Sequence, residues 1–276
     1  MNLRESCLPA GWYPGNPDDI RAFLSRYSTP AKNGVTRAAI APHAGWFYSG
    51  TIAAGAIACL DRTIETIVVI GGHLPEQYPP LFAMEDAVYT PLGNMAIDSA
   101  LRASLQKKLD WKEDRFADNT VEVLLPMARF FFPKASLLWL RLPAALASFD
   151  AGAALAAAAS ELGRNIAVLA STDLTHYGKN YRFAPKGGGI EALRWVRDEN
   201  DRAFIDAVVS GQNTAVLERA QQDGSSCSAG AVLGVMGFAR AAGLGPARLL
   251  EHGTSADADK GAGVSDAFVG YASFVF

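Results

Sequence analysis

The chain carries four histidines and three cysteines, and two of the histidines occupy matching positions. Ala38–Ala41 is a short apolar run ending at Pro42, which cannot continue a β-ladder, and His43 follows at once, with Gly45 and Gly50 beyond it. Ile67-Val68-Val69-Ile70 is a second apolar run, closed by Gly71 and Gly72, and it delivers His73 in the same way. Histidine is the commonest metal ligand, and neutral imidazole suits zinc, iron, copper and nickel. If the two strands are neighbours, both rings converge in the crevice beyond the strand carboxyl ends, where open α/β sheets bind ligands.

A third run, Ile166–Ala170, opens into Ser171-Thr172-Asp173-Leu174-Thr175-His176. Within one turn, a carboxylate three residues before a histidine would orient the imidazole and favour its charged form, which is what a general acid/base needs. Cys227 lies among small residues at the start of a helical pattern, where the field of a helix N-terminus favours a thiolate. One thiolate with two imidazoles is a plausible three-ligand set with positions left for water or substrate. Spacing alone does not join Cys227 to the histidines, because there is no CxxC or HExxH signature. Cys59 falls in an Ala/Ile-rich helical pattern and reads as core, while Cys7 sits in a terminal segment. Trp46, Phe47 and Tyr48 beside His43 offer either an aromatic wall for a ligand or further core.

The elements that must position these residues follow from the hydrophobic pattern. Ala38–Ala41, Thr66–Ile70, Leu137–Leu142, Ile166–Ala170 and Ala247–Leu250 read as strands, and Thr66–Ile70 and Ile166–Ala170 are apolar enough to be buried on both faces. Gly50–Leu60, Thr120–Phe132, Gly152–Leu162, Glu191–Val209, Thr214–Gln222 and Ser228–Ala242 read as helices. The closing stretch Ala267–Phe276 is dense in aromatic and β-branched residues and is expected to enter the sheet. Pro185–Gly189 and Ser255–Gly263 read as loops within one domain spanning residues 1–276. Alternating strands and helices predict an α/β fold, with a mostly parallel or mixed central sheet flanked by helices.

Composition narrows the function classes. Half of the 276 residues are apolar, 19% are charged, and the formal net charge is -3. No Lys/Arg-rich run marks a nucleic-acid backbone binder. Ala151–Ser160 is too short and too weakly apolar to span a bilayer, and no secretory signal opens the chain. Three scattered cysteines argue against a disulfide framework, so a reducing compartment, the cytoplasm, is expected.

The motifs together resemble the Memo-like family, protein B of the AmmeMemoRadiSam system, whose fold is similar to that of class III (LigB-type) extradiol dioxygenases. The match runs through Pro42–Gly50, Gly71–His73, Thr90-Pro91-Leu92 with Ile97-Asp98, and Asp118–Pro126. It continues through Ser171–Gly178, Ser226-Cys227 and Ser265–Phe276, in the family's order over nearly the whole chain. The resemblance implies that His43, His73 and Cys227 are metal ligands and that Asp173 and His176 lie in the same pocket, His176 as acid/base. This sequence departs from the family at three places. Gly71-Gly72-His73 stands where Gly-Pro-x-His is usual. Asp118-Asn119-Thr120 stands where Glu-His-Ser is common, with Glu122 kept. Ser228 follows Cys227 where glycine is common.

Three functions follow as expectations. The first is a non-haem iron redox enzyme, dioxygenase-like, in which Cys227 replaces the usual carboxylate of a facial triad and is itself oxidisable. The second is a zinc-dependent hydrolase in which His176 shuttles protons; copper would also accept these donors. The third is a non-catalytic module binding metal or peptide, with the radical-SAM and Amme-type partner proteins that the resemblance implies. The chain lacks the cysteine motif of a radical-SAM enzyme itself.

Overall fold

The apolar runs form one sheet. A computed structural model describes residues 2–28, 35–258 and 265–276. In chain order the elements are β1 (Leu3–Arg4), α1 (Pro17–Ser25), β2 (Ala38–Ala41), α2 (Trp46–Ile57), β3 (Thr66–Leu74), β4 (Leu81–Phe82), β5 (Ala87–Val88) and β6 (Met95–Ala96). Next come α3 (Ser99–Gln106), β7 (Lys112–Glu113), α4 (Asn119–Glu122), α5 (Leu125–Phe131), β8 (Ser136–Pro143), α6 (Ala147–Glu161), β9 (Ile166–Ser171) and β10 (His176–Tyr177). The last are α7 (Gly189–Trp195), α8 (Asp201–Val209), α9 (Asn213–Asp223), α10 (Ala229–Ala241), β11 (Arg248–Thr254) and β12 (Phe268–Val275).

The main sheet runs β10-β12-β2-β9-β3-β8-β4-β7, with β11 on the other edge of β12. Its centre, β2-β9-β3-β8, is parallel, and β12 joins β2 antiparallel, so the sheet is mixed. Successive side chains alternate between faces. Val68 and Ile70 of β3 pack with Leu155 of α6 and Val232 and Val235 of α10, whereas Ile67 and Val69 face Ala53 and Ile57 of α2 and Met127 of α5. Both faces are covered, which is why these strands read as unbroken apolar runs. A small sheet, β1-β5-β6, lies apart. Among the described residues no helix is long and apolar enough to cross a membrane.

Several boundaries differ from the sequence reading. The expected helix Thr120–Phe132 is two helices, α4 and α5, broken at Val123-Leu124 with Pro126 in the first turn of the second. The expected helix Glu191–Val209 holds a π-helical turn, Val196–Asn200, between α7 and α8. Strand β3 runs four residues past Ile70, through both glycines and His73 to Leu74. Of the expected loop Ser255–Gly263, Ser255–Asp257 form a short 3-10 turn, and residues 259–263 lie outside the described residues.

Candidate metal centre

His43 leaves β2 through Pro42 and is 1% exposed. Its backbone N–H donates to Asp173 Oδ1 at 2.8 Å, and its Nδ1 lies 3.0 Å from Ser171 Oγ. The Ser171 hydroxyl donates its own proton to the Thr120 carbonyl, so towards the ring it can only accept. His43 therefore carries a proton on Nδ1, and its Nε2 is the nitrogen pointed at Cys227 Sγ 3.2 Å away.

His73 reaches the same place differently. The register of β3 against β8 shifts between Gly71 and Leu74, and His73 has a positive φ of 57°, an uncommon backbone state for a side chain of this size. Its Nδ1 lies 3.0 Å from Asp118 Oδ2, and an ionised carboxylate only accepts, so Nδ1 carries a proton and Nε2 is the nitrogen turned towards Cys227. Asp118 is itself held by Arg141 Nη2 at 3.2 Å and by the Thr120 N–H at 2.9 Å. Arg141 Nε donates to the Gly72 carbonyl at 3.0 Å, and its Nη1 meets Asp114 Oδ1 at 3.2 Å. Glycine is required on this path, because a Cβ on Gly71 would lie 2.2 Å from Thr120 Oγ1.

Strands β2 and β3 are not neighbours, contrary to the simplest geometry for convergence. With β9 between them and about 4.8 Å per strand spacing, their axes are roughly 10 Å apart. The gap closes because β9 ends at Ser171 beneath them and His73 leaves the regular ladder. The two rings meet edge to face with centroids 5.0 Å apart. Cys227, a free thiol just before α10, accepts the Asp173 N–H at 3.3 Å. One ligand atom from each of His43, His73 and Cys227 lies within 4.8 Å of the other two. Among the described residues this group can hold one metal ion.

The charges fit such an ion. Burial opposes a Cys227 thiolate, yet the field of His43 and the hydrogen bonds from His43 and His73 bring the thiol down to about 6. Burial likewise opposes a charged His73, but the hydrogen bond to Asp118 and then Cys227 push it up to about 10. The protein thus draws positive charge into the space between these ligands, and a divalent cation supplies it without a proton.

Asp173 and His176 share the cleft without a hydrogen bond between them; burial opposes the Asp173 carboxylate and the field of His176 favours it. The three-residue spacing would place them on one turn, whereas residues 172–175 form no helical turn. Leu174 N–H is taken by the Gly270 carbonyl of β12 at 2.8 Å, and Thr175 N–H by Asp201 Oδ1 at 3.1 Å. Asp173 therefore faces His43, with Oδ2 3.9 Å from His43 Nε2, and burial pushes its carboxyl up. His176 Nδ1 lies 3.1 Å from the Leu174 carbonyl, an acceptor, which leaves its Nε2 as the proton-accepting atom. The Tyr181 ring packs against it at 5.1 Å.

A cleft of about 1000 Å³ opens over His43, His73, Asp173 and His176, with Tyr48, Tyr181 and Tyr271 among its walls. Of the aromatic trio after Gly45, only Tyr48 faces it. Trp46 is core, donating Nε1–H to the Val123 carbonyl at 2.9 Å, and Phe47 is exposed. Another wall is Ala10-Gly11-Trp12, held because Glu122 accepts from Ser6 Oγ at 2.6 Å, Cys7 N at 2.9 Å and Leu8 N at 3.1 Å. The sequence reading missed Arg141, Asp118, Ser171 and Asn119, whose Nδ2 donates to the His43 carbonyl at 3.0 Å, as supports of the site. A lone arginine inside the apolar run Leu137–Leu142 was the available signal.

The family model described as "Memo-like protein" matches residues 4–275. A MEMO1 family protein of Pyrococcus abyssi is 31% identical, with 99% of each chain covered. One from Thermococcus onnurineus is 28% identical over the same shares. A solved structure of an uncharacterized Escherichia coli K12 protein superposes with a TM-score of 0.49 and 15% identity, covering 86% of this chain and 98% of that one. The family model spans every strand that delivers a ligand, and on that match the chain belongs to the Memo-like family.

Proposed function

We propose that this protein is a redox metalloenzyme in which His43, His73 and Cys227 hold one divalent transition metal, with iron(II) favoured over zinc or copper. The observation that carries the reading is the convergence of three ligand atoms within 4.8 Å, with both imidazoles anchored through Nδ1 so that Nε2 is the nitrogen offered to a metal. Iron(II) held by two imidazoles and one anion would supply a redox centre with positions left for a chelating substrate and dioxygen. The chain's own residues do the rest. Asp118 and Ser171 orient the two rings, as partners beyond the ligands do in known metal sites. His176 Nε2 takes a proton from a substrate hydroxyl in the cleft, and the Nδ1–H bond to Leu174 holds the ring as it does so. The walls from Trp12, Tyr48 and Tyr271 limit water around the reacting groups.

The test is to load the protein anaerobically with iron(II), add catechols and dioxygen, and look for ring-opened product. No turnover sinks the dioxygenase form of the proposal. Metal analysis of protein purified without added metal separates the alternatives: iron with redox-linked spectra supports this reading, and tight, redox-silent zinc supports a hydrolase. Substituting His43, His73 or Cys227 by Ala should abolish stoichiometric metal while the fold stays intact. Metal retained in all three variants refutes the site.

A further inference from the structure

Ser228 occupies the N-cap position of α10, immediately after Cys227. A serine there ordinarily accepts a hydrogen bond from a backbone N–H two or three residues on. This one makes no such bond. Its residue is 2% exposed, so water does not take the hydroxyl, and among the described residues the hydrogen-bond partner of that hydroxyl is Cys227 Sγ at 3.7 Å.

Three further contacts decide the direction of that interaction. Thr172 Oγ1 also lies near the sulfur, at 3.8 Å, but it donates to the Asp173 carbonyl at 2.8 Å and has no second proton. Asp173 N–H donates to the sulfur at 3.3 Å, so Sγ is already an acceptor. A sulfur that ligates a metal has given up its proton, so in the metal-bound site the serine is the donor. The α-carbon of Gly72 closes the other side. A Cβ there would lie 2.4 Å from Ser228 Cβ and 2.5 Å from its Oγ. The serine side chain fits only because residue 72 is glycine. A Cβ on Gly72 would also lie 2.8 Å from Ser228 Cα, so the backbone at 228 requires glycine at 72 as well.

We propose that Ser228 donates its hydroxyl proton to the Cys227 sulfur and so tunes how strongly the thiolate donates to the metal. The inference rests on the reading that His43, His73 and Cys227 hold that metal. Hydrogen bonds to a ligating sulfur withdraw electron density from it and raise the reduction potential of the centre.

The experiment uses cobalt(II) as the probe, in wild type, Ser228→Ala and Ser228→Gly, reading metal stoichiometry and the sulfur-to-cobalt charge-transfer band. One cobalt per chain is expected in all three, with the band at lower energy in both variants. A band at the same energy in all three overturns the role of Ser228 and leaves the metal reading standing. A wild type without a thiolate band overturns the metal reading and the inference with it. Loss of cobalt from folded Ser228→Ala, checked by circular dichroism, assigns the serine a purely structural role and also overturns the proposal.

Discussion

Replacing Asp118 by Asn tests how the protein supports its histidine ligands. Burial works against the Asp118 carboxylate, but the hydrogen bond from His73 and the Arg141 guanidinium overcome it and hold it at about 2. A carboxylate at about 2 in place of its ordinary value near 3.8 contributes about 2 kcal/mol at neutral pH. The rise of His73 to about 10 includes the Cys227 thiolate, so the shift on Asp118 is the fairer measure of this pair, and the two are not added. The signs give a window. The depressed acid stabilises above 3.8 and loses its contribution as pH falls through about 2. The raised base stabilises fully below 6.5 and loses its contribution as pH rises through about 10. In metal-free protein the urea stability difference between wild type and Asp118→Asn should therefore plateau at about 2 kcal/mol between pH 4 and 6.5 and shrink towards pH 9.5. With metal bound, replacing the charged acceptor of the His73 Nδ1–H by a neutral one should weaken affinity by roughly 10–100-fold in a chelator competition. A difference that is flat from pH 5 to 9.5, together with unchanged affinity, would refute the reasoning.

His176→Ala should keep one metal per chain and lose any turnover found; if metal is lost too, His176 is part of the ligand set. Glu122→Gln should loosen the segment around Ser6–Leu8 and cost about 1–3 kcal/mol, read by urea titration and by proteolysis near the N-terminus. Burial opposes the Glu122 charge and its donors, Cys7 and Ser6 first, lower its carboxyl below the ordinary 4.5, so that cost should be present at pH 7 and fade as pH falls through the lowered value. Gly71→Ala should cost about 1–3 kcal/mol through overpacking against Thr120, seen as a lower Tm and weaker metal binding. Asp201→Asn should disturb His176 through Thr175, because Asp201 holds Thr175 Oγ1 at 2.5 Å and His252 Nε2 at 3.0 Å; an unchanged His176 NMR signal would count against that link.

The sheet was legible because β2, β3, β8 and β9 are buried on both faces and so carry near-continuous apolar runs. The histidines were legible because proline and glycines mark where those runs stop. Local pattern could not show that β9 separates β2 from β3, since strand order is decided by crossovers and not by any one segment. Cys227 lies 184 residues from His43, and no local spacing encodes that meeting; the family resemblance supplied it. Asp173 was misplaced relative to His176 because a three-residue spacing predicts contact only on a helix, and tertiary hydrogen bonds to Gly270 and Asp201 hold the segment out of a helical turn. The short helices α1 and α3 and the small sheet went unread, being brief and partly exposed.

The placement of β12 between β11 and β2 bears on when the proposed metal could be taken up. During synthesis the two histidine strands emerge long before Cys227, and β2 lacks its antiparallel neighbour until residues 268–275 have followed. A partly made chain therefore offers two imidazoles on an unfinished sheet edge, a weak and unselective trap for whatever ion is at hand. If His43, His73 and Cys227 hold a metal as proposed, selection among metals would be postponed until the thiolate and the closing strand arrive, and from that moment ion binding and the final stage of folding would share one free energy.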